Sequence, residues 1–464
     1  VYVGVEEGDY GVGSGQGSVN SNQNATLAAR IAYALDLKGP NLALTASCSS
    51  GLVALHQACL ALRQGDCEMA LAAGVNLLIS PMGYVGLNQY GMLSPNGKCR
   101  VFDQRANGLV PGEAVAVVLL KPLSQAISDG DRIYGSIKAS GVNYDGKTNG
   151  ITAPNPVSQA ELIKGIYDKY QIDPARIQYV LSHSVGSKLG DPIEFEALND
   201  SFQHYTGKKQ YCYLGSIKPL IGHTFAASGI VSLITLLMAM RDRTIPALYH
   251  YENPNEYINF SASPFLLNRE NQPWNLIENQ PRLGAIGSTG ISGTNAHVVI
   301  EDYVADLPDC SQLKKIPHLV VFSAKTPDCL TSIVQNIIEF LQKRLKERTK
   351  ISLSNLSYTL QVGREAMKER LAIIVGSPEE LLTQLKEFLS CSGESNGNNL
   401  FIGRCSGVDD VCDTSKDTAL VQTACEERNL EQLATLWVKG FLIPWDNIQE
   451  NRAARIIGLP TYPF

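Results

Sequence analysis

The segment Leu42–Ala54 reads LALTASCSSGLVA and passes from an apolar run through a small polar turn into a helical pattern. We predict a buried strand over Leu42–Thr45 and an Ala/Leu-rich helix over Gly51–Arg63, with Cys48 in the turn between them. The free N–H groups and the dipole at the start of a helix favour a thiolate, so this placement predicts a lowered pKa for Cys48. The alternative is that Cys48 is a small buried apolar residue, as most free cysteines are.

Residues 1–302 continue this alternation of short apolar runs and small-residue helical stretches, which predicts an α/β fold. The segment Tyr213–His223, which reads YLGSIKPLIGH, resembles Leu42–Ala54 because each combines a strand, a turn with a reactive side chain and a small-residue helix. This likeness indicates an internal duplication. Further predicted elements are the strands Val115–Leu120, Arg132–Ala139 and Ala296–Ile300, a helix capped by Asp191, the helix Ala226–Arg241 and a glycine-rich hairpin region over Gly284–Gly293.

The bulk composition is that of an ordinary globular protein. The chain has 464 residues, of which 44% are hydrophobic and 18% charged, enough for two to four domains. Its formal net charge of −6 argues against nucleic acid or an anionic membrane as partner. The sequence predicts no membrane span and no signal peptide. Eleven cysteines without metal-site or disulfide spacing predict no metal and a reducing, cytoplasmic setting.

The composition shifts near residue 303, where Lys, Glu, Gln and Leu rise. We predict a separate small α/β domain over residues 303–455, followed by a strap over residues 456–464 whose two prolines enforce an extended chain. The elements predicted here are the amphipathic helices Thr331–Glu347 and Glu379–Leu389, the strands Leu319–Phe322, Arg370–Val375 and Leu400–Ile402, and the polar loop Ser390–Asn399.

Two histidines lie where catalytic groups concentrate. His183 follows the predicted strand Tyr179–Leu181, and His223 precedes a predicted helix, so both occupy strand-end loops. A single cysteine with distant histidines is a known nucleophile pattern. The alternative is that either histidine is structural, because a lone histidine in such a loop usually is.

A phosphate-loop pattern is present but lacks its structural context. Gly141–Thr148 matches the spacing of a phosphate-binding loop, and a predicted strand precedes it. Such a loop must open a helix, whereas the residues that follow, Asn149–Pro156, contain two prolines and cannot begin one. We therefore reject nucleotide binding.

Taken together, several segments resemble the ketosynthase domains of polyketide synthases. They occur in that family's order over residues 1–302. The resemblance implies the thiolase fold, in which two duplicated halves stack as α-β-α-β-α layers, and it implies a homodimer. The segments are Cys48–His56 (CSSGLVALH), Gly91–Gly97 (GMLSPNG), His183 with Lys188–Glu194 (KLGDPIE), Lys218 with Ile221–His223 (IGH), and Gly290–His297 (GISGTNAH).

The resemblance also assigns roles to residues. Cys48 would carry the growing acyl chain as a thioester, and His183 and His223 would drive decarboxylation of a malonyl unit held on the phosphopantetheine of an acyl carrier protein. Lys218 is similar to the lysine that supports this cluster electrostatically. The backbone N–H groups of Cys48 and Ile291 would form the oxyanion hole. No cofactor bound by the chain itself is implied.

The sequence departs from the family pattern in several places. Val1–Gly4 matches a strand inside the first half, so we expect the family's opening strand and helix to be absent from these residues, and the chain alone to lack independent stability. The usual HGTGT motif is HSVGS here, which places Val185 and Ser187 at the positions that meet pantetheine. Leu220 replaces an asparagine, and Ile291 replaces a phenylalanine that gates the pocket.

The tail resembles that of synthases supplied by a separate acyltransferase. The residues between Glu301 and Leu459 suffice for the family's linker domain alone, so the resemblance implies a trans-acyltransferase synthase. Three interpretations of the first domain stay open: an elongating ketosynthase, a relay that only passes acyl chains on, and a non-catalytic scaffold. A degradative thiolase would need a second cysteine within residues 284–297, which contain none.

Overall fold

The structure is a computed structural model that describes residues 1–8, 23–304, 316–347, 351–390, 399–405, 415–448 and 454–463. The chain divides into two units. Val1–Gln125 and Ile133–Val304 form the first unit, and Ala126–Arg132 and Ala305–Phe464 form the second.

The elements of residues 1–304 alternate as an α/β chain. The strands are β1 (Tyr2–Gly4), β2 (Leu42–Leu44), β3 (Ala70–Asn76), β4 (Ala114–Leu120), β5 (Ser136–Tyr144), β6 (Ile177–Leu181), β7 (Cys212–Gly215), β8 (Thr244–Ile245), β9 (Phe265–Leu266), β10 (Gln272–Pro273), β11 (Leu283–Thr289) and β12 (Thr294–Glu301). The helices are α1 (Asn24–Ala34), α2 (Ser50–Gln64), α3 (Met82–Gln89), α4 (Leu123–Ser128), α5 (Pro156–Tyr170), α6 (Gly190–Gln203), α7 (Lys218–Ile221) and α8 (Ser228–Asp242).

Five layers build the first unit. A four-stranded sheet of order β2-β1-β3-β4 and a six-stranded sheet of order β5-β12-β11-β6-β7-β9 face each other. Helices α2 and α8 lie between the sheets in one core cluster, which contains buried residues of both sheets. Helix α1 covers the outer face of the first sheet, and α5 and α6 cover that of the second. This arrangement is the predicted α-β-α-β-α stack of the thiolase fold.

The two sheets repeat one topology. The order β2-β1-β3-β4 corresponds to β7-β6-β11-β12, with the last pair antiparallel in each case. Strand β12 also pairs with β5, whereas β4 has β3 as its one strand partner among the described residues. Three apolar side chains of β4 are exposed at the sheet surface: Val115, Val117 and Leu119.

The central helices carry the duplication in finer detail. Both α2 and α8 span 15 residues, and in each case the residue three positions before the helix has a positive φ, Ser47 at 51° and Phe225 at 40°. The second residue of each helix is a glycine, because a Cβ on Gly51 would lie 2.8 Å from the Ala226 carbonyl oxygen and a Cβ on Gly229 would meet Leu52. The duplication is thus real, although the helix that matches α2 is α8, which begins after His223.

Several sequence predictions need correction. The strand β2 is partly exposed, with Leu42 at 45%, because it lies at the sheet edge and not in its centre. The strand predicted over Arg132–Ala139 begins only at Ser136 and continues to Tyr144. Asp191 lies inside the first turn of α6 and makes other contacts in place of a cap.

The first half of the rejected phosphate loop is strand. Residues 141–144 belong to β5, and helix α5 begins only at Pro156, capped by the Asn155 side chain. The described residues contain one helical run, Phe225–Asp242, long and apolar enough to cross a membrane. Its buried residues, among them Ile230, Leu233 and Leu236, belong to the central core cluster, as expected for a core helix.

The second unit is a small α/β layer structure. Its elements are β13 (His318–Ala324), β14 (Glu369–Val375), β15 (Leu400–Arg404), α9 (Pro327–Lys346), α10 (Leu353–Val362), α11 (Pro378–Ser390), α12 (Ser415–Glu426) and α13 (Leu430–Val438). The sheet has the order β13-β14-β15 and is antiparallel, with α9, α10 and α11 on one face and α12 and α13 on the other. Residues 454–463 form neither helix nor strand, and the backbone N–H of Lys325 donates to the hydroxyl of Tyr462 at 3.1 Å. The predicted polar loop Ser390–Asn399 lies mostly outside the described residues.

Candidate active site

Cys48 lies in the turn between β2 and α2, as predicted. Its residue is buried, with 9% of its surface exposed. The backbone N–H groups of Cys48 and Ile291 both act on its sulfur in the direction that lowers its pKa, and these are the two groups predicted as the oxyanion hole. The hydroxyls of Ser228 and Ser288 donate to the Cys48 carbonyl oxygen at 3.2 and 3.0 Å. The second half of the duplication, through α8 and β11, therefore holds this turn of the first half in place.

His223 contacts the thiol directly. Its Nε2 lies 3.2 Å from Cys48 Sγ. The backbone of His223 pairs with the segment before β4, since its N–H donates to the Val110 carbonyl at 2.6 Å and its carbonyl accepts from Gly112 at 2.9 Å. Its Nδ1 is buried and has no hydrogen-bond partner among the described residues. The imidazole is thus fixed by its backbone and directed at the sulfur.

His183 completes a trio with these two residues. It follows β6, and its ring centroid lies 5.2 Å from that of His223, with the two rings nearly perpendicular at 84°. Its Nδ1 lies 3.5 Å from the Ser288 hydroxyl. One nitrogen of each histidine and Cys48 Sγ all lie within 4.8 Å of one another. The three residues proposed for catalysis from the sequence are therefore assembled in one place.

Hydrogen bonds from three side chains fix the loop that carries His183. Glu194 accepts from the His183 N–H at 2.6 Å and from the Ser184 hydroxyl at 2.6 Å. Lys218 Nζ donates to the His183 carbonyl oxygen at 2.6 Å. Asp191 accepts from the N–H groups of Val185 and Ser187, both at 3.1 Å. The loop keeps a defined shape even though its motif departs from the family's.

The electrostatics of the trio correct one sequence prediction. Burial, with the Glu6 carboxylate adding to it, raises the pKa of Cys48 to about 12, and Lys218 and the two N–H groups offset only part of this rise. The predicted lowering of the Cys48 pKa is therefore wrong. The physical reason is that α2 begins at Ser50, two residues after Cys48, while the sulfur is enclosed by other elements.

Both imidazoles are neutral in this environment. Burial, followed by the charge of nearby Lys218, holds the pKa of His183 and that of His223 well below the ordinary value. Burial also lowers the pKa of Lys218, which the carboxylates of Glu194 and Asp191 partly counteract. The resting pair is therefore a neutral thiol beside a neutral imidazole, with His223 Nε2 able to accept the thiol proton as Cys48 attacks.

The two residues predicted to meet pantetheine lie on the same loop. The Val185 carbonyl accepts from the Cys99 thiol at 3.2 Å. The Ser187 hydroxyl oxygen accepts from the Gly190 N–H at 3.1 Å, so it caps the start of α6. Ser187 keeps its own hydrogen for donation, whereas Val185 has no polar side-chain atom to offer.

The sequence analysis missed four groups of this site. Asp191 and Glu194 stand three residues apart in the quoted motif, a spacing that places both on one face of the helix that follows His183. That signal was available. The hydroxyls of Ser228 and Ser288 meet Cys48 only through the fold, and no local pattern marks them.

Ser184 is specific to this chain's version of the loop, and its hydroxyl is the second donor to Glu194. We expect Ser184→Ala to reduce condensation about tenfold, because a hydrogen bond to a buried charged group contributes ~1.5 kcal/mol. Loading of Cys48 should change little, since the Ser184 hydroxyl donates to Glu194 and not to a group at the sulfur. The measurement is the ratio of condensation to loading rates in purified variants.

Ser182→Ala is the matched control. Ser182 is also buried, and its hydroxyl donates to the Gly215 carbonyl at 3.1 Å and not to Glu194. It should leave that ratio unchanged. Equal ratios for Ser184→Ala and Ser182→Ala would show that the Glu194 contact does not position His183.

Comparison with known proteins identifies the class to which this site belongs. The "Beta-ketoacyl synthase, N-terminal domain" matches residues 1–126, its C-terminal domain matches residues 134–252, and the "RhiE-like, KS-MAT linker domain" matches residues 321–392. Polyketide synthase PksM of Bacillus subtilis is 56% identical over 470 residues, which cover this whole chain and 11% of that protein. Polyketide synthase PksL of the same organism is 41% identical.

Solved structures agree with this assignment. The ketosynthase from module 6 of the bacillaene synthase of Bacillus subtilis 168 is 41% identical with a TM-score of 0.88, and the match covers this entire chain and 80% of that one. The oxazolomycin ketosynthase domain OzmH KS7 of Streptomyces albus JA3453 is 31% identical with a TM-score of 0.85, covering this entire chain and 77% of that one.

This chain therefore belongs to the ketosynthase family of polyketide synthases. It combines a ketosynthase domain with the linker domain that matches residues 321–392. The chain spans about a tenth of the length of the curated relatives it matches. The resemblance read from the sequence is confirmed in its family, its thiolase fold and its linker.

Proposed function

We propose that this chain is an elongating ketosynthase domain of a trans-acyltransferase polyketide synthase. It would form a carbon–carbon bond by decarboxylative Claisen condensation between an acyl group on Cys48 and malonyl-acyl carrier protein. The observation that carries the proposal is the trio of Cys48, His183 and His223, with mutual ligand-atom distances within 4.8 Å and two neutral imidazoles.

The first half of the reaction would be acyl loading. Cys48 Sγ attacks the carbonyl carbon of an acyl thioester on phosphopantetheine, and its proton passes to His223 Nε2, which lies 3.2 Å away. The negative charge on the carbonyl oxygen is stabilised by the N–H groups of Cys48 and Ile291. The carbon–sulfur bond to pantetheine then breaks, and the departing thiolate takes the proton from His223.

The second half would be condensation. The malonyl carboxylate leaves as carbon dioxide, and its electron pair forms an enolate whose oxygen accepts N–H bonds from His183 and His223. The enolate carbon attacks the acyl carbonyl on Cys48, and the cysteine sulfur leaves as thiolate and takes a proton from solvent, which restores the thiol. Each neutral imidazole has one N–H to donate to the developing oxyanion; for His223 this is the tautomer with hydrogen on Nε2, whereas loading uses the tautomer with a free Nε2.

Partners and setting follow from the same proposal. The chain would receive its substrates from an acyl carrier protein, with malonyl units supplied by a separate acyltransferase, and would work as a homodimer in the cytoplasm. It would bind no cofactor itself. Ser187, with a hydroxyl hydrogen to donate, and Val185 would line the pantetheine arm. We propose residues 1–302 as the ketosynthase domain, 303–455 as the linker domain and 456–464 as the strap.

The relay alternative is favoured by one observation, the HSVGS loop, in which Val185 lacks the hydroxyl that the family offers to pantetheine. A paired assay separates the two functions. Protein loaded with an acyl chain is mixed with malonyl-acyl carrier protein, and carbon dioxide release and β-ketoacyl product are followed. We expect both. Complete loading without either product would overturn elongation and leave the relay standing.

Ile291 sits beside the nucleophile with 45% of its surface exposed, where the family has a larger gating phenylalanine. We expect Ile291→Phe to slow loading of branched acyl chains about tenfold more than loading of acetyl, because a pocket that loses volume rejects the larger group. Ile291→Leu, which conserves volume, is the control. Loading rates from acetyl and branched acyl thioesters measure the effect, and equal slowing of both substrates would contradict a gating role.

A further inference from the structure

The catalytic trio also has the donor set of a metal site. One sulfur and two imidazole nitrogens lie within 4.8 Å of one another. Among the described residues, this is the one cluster of three or more His, Cys, Asp or Glu side chains whose ligand atoms lie close enough to share a metal ion. These residues are distant in sequence, at positions 48, 183 and 223, so they do not form a metal-binding motif with short, regular spacing. The donors are those that zinc and related thiophilic cations prefer.

One of the three ligand-atom distances already fits a tetrahedral ion, and the other two, within 4.8 Å, would have to shorten toward it. Bond lengths of about 2.3 Å to sulfur and 2.0 Å to nitrogen place neighbouring ligands about 3.5 Å apart. Cys48 Sγ and His223 Nε2 are already 3.2 Å apart. His183 is held through its loop backbone. Among the described residues its ring has one hydrogen-bond contact, at 3.5 Å to Ser288, and it packs edge-on against His223, so the ring can turn toward a shared ion.

The charge of the surroundings permits a divalent cation. Lys218 is the one nearby cation that acts on both histidines, while Glu194 and Asp191 supply carboxylates to the same buried region. Three protein ligands leave a fourth position for water, as in zinc sites that are not structural.

We propose that Cys48, His183 and His223 together bind a thiophilic divalent cation of the zinc class, reversibly and in competition with acylation. On binding, the Cys48 thiol loses its proton to solvent and a sulfur–metal bond forms, while each imidazole donates one lone pair. The binding step needs only the trio, whereas its inhibitory consequence rests on the proposed acyl loading of Cys48. Free metal would thus hold the domain in an unloaded state.

Cadmium is the probe, because a cadmium–thiolate bond has an ultraviolet charge-transfer band. Titrating the chain with Cd²⁺ alone should reveal one bound equivalent of Cd²⁺, seen as an increase in this band, that Cys48→Ala lacks. The affinity for this Cd²⁺ ion should fall at least about tenfold in His183→Ala and in His223→Ala. Cys67→Ala is the matched control, since this free cysteine, three residues after the end of α2, is more exposed than Cys48. It should bind like the wild type.

Three results would overturn the site. These are an unchanged equivalent in Cys48→Ala, its loss in Cys67→Ala, and histidine variants that bind Cd²⁺ as tightly as the wild type. Thermal melts of the metal-free variants identify any that fail to fold, and His223→Gln then replaces His223→Ala. A separate arm titrates protein already acylated on Cys48, which should lack the equivalent. If no acyl donor loads Cys48, acylation fails while the metal titration still decides the site.

Discussion

Cys48→Ala should carry no acyl adduct after exposure to an acyl thioester, and its condensation should fall to background. Cys48 is the one described cysteine with an imidazole nitrogen at 3.2 Å and two backbone N–H groups at its sulfur. Among the described residues, no other buried cysteine has an imidazole nitrogen within hydrogen-bond distance of its sulfur. Burial raises the pKa of Cys59 to about 11 and that of Cys99 to about 12, as it does for Cys48, so these thiols stay protonated, and without a neighbouring base they are not activated.

Intact-mass analysis measures this prediction directly. Cys67→Ala serves as the control, because Cys67 is a free and partly exposed thiol that should not compete with Cys48 for acyl groups. It should acquire a single adduct at the wild-type rate. An adduct of normal stoichiometry on Cys48→Ala would show that the nucleophile is another residue.

The position of Cys48 was predictable from its sequence, but the reactivity of its thiol was not. The strand-turn-helix pattern of Leu42–Ala54 located the turn correctly. The pKa depends on what covers the turn, and that cover comes from β11 and the start of α8, about 180 to 240 residues away. A local sequence pattern shows the helix dipole that favours the Cys48 thiolate, but it does not show the larger free-energy cost of burying that thiolate.

The two histidine loops illustrate the same limit. The groups that fix the backbone of the His183 loop include Asp191 and Glu194, within eleven residues of His183, and their helical spacing can be recognised in the sequence. The contact between His223 and Cys48 joins residues 175 apart and follows only from the duplicated fold. Family resemblance supplied that pairing where local patterns could not.

The ends of strands were predicted wrongly where pairing with a distant strand determines them. The antiparallel partner β12 extends β5 to Tyr144, through a stretch with a glycine and an asparagine that weaken its strand pattern. The strand β2 is apolar in sequence but lies at the sheet edge, since its position depends on the order of strands and not on its own residues. The pattern of a sequence segment therefore indicates whether it is a helix or a strand more reliably than it indicates which strands pair with it or where it ends.

His183→Ala and His223→Ala should separate the two half-reactions. Each variant should lower condensation by about 100-fold or more, the scale of one lost oxyanion donor. If the Cys48 thiolate formed without a neighbouring base, loading would survive in both histidine variants. The structure predicts otherwise, because burial raises the pKa of Cys48 to about 12, and His223 is the one base among the described side chains with a hydrogen-bond contact to the sulfur.

Loading should therefore survive in His183→Ala and fail in His223→Ala. At neutral pH, a Cys48 thiol without His223 depends on its small thiolate fraction, which rises about tenfold per pH unit below the pKa of about 12. Raising the pH should consequently restore loading in His223→Ala, whereas wild-type loading should respond much less steeply because His223 takes the proton at any pH above its depressed pKa. Rates of adduct formation from pH 6 to 9, followed by mass in both variants, test this. Equal loading by the two variants at neutral pH would mean that Cys48 forms its thiolate unaided, and the neutral thiol–imidazole pair would have to be abandoned.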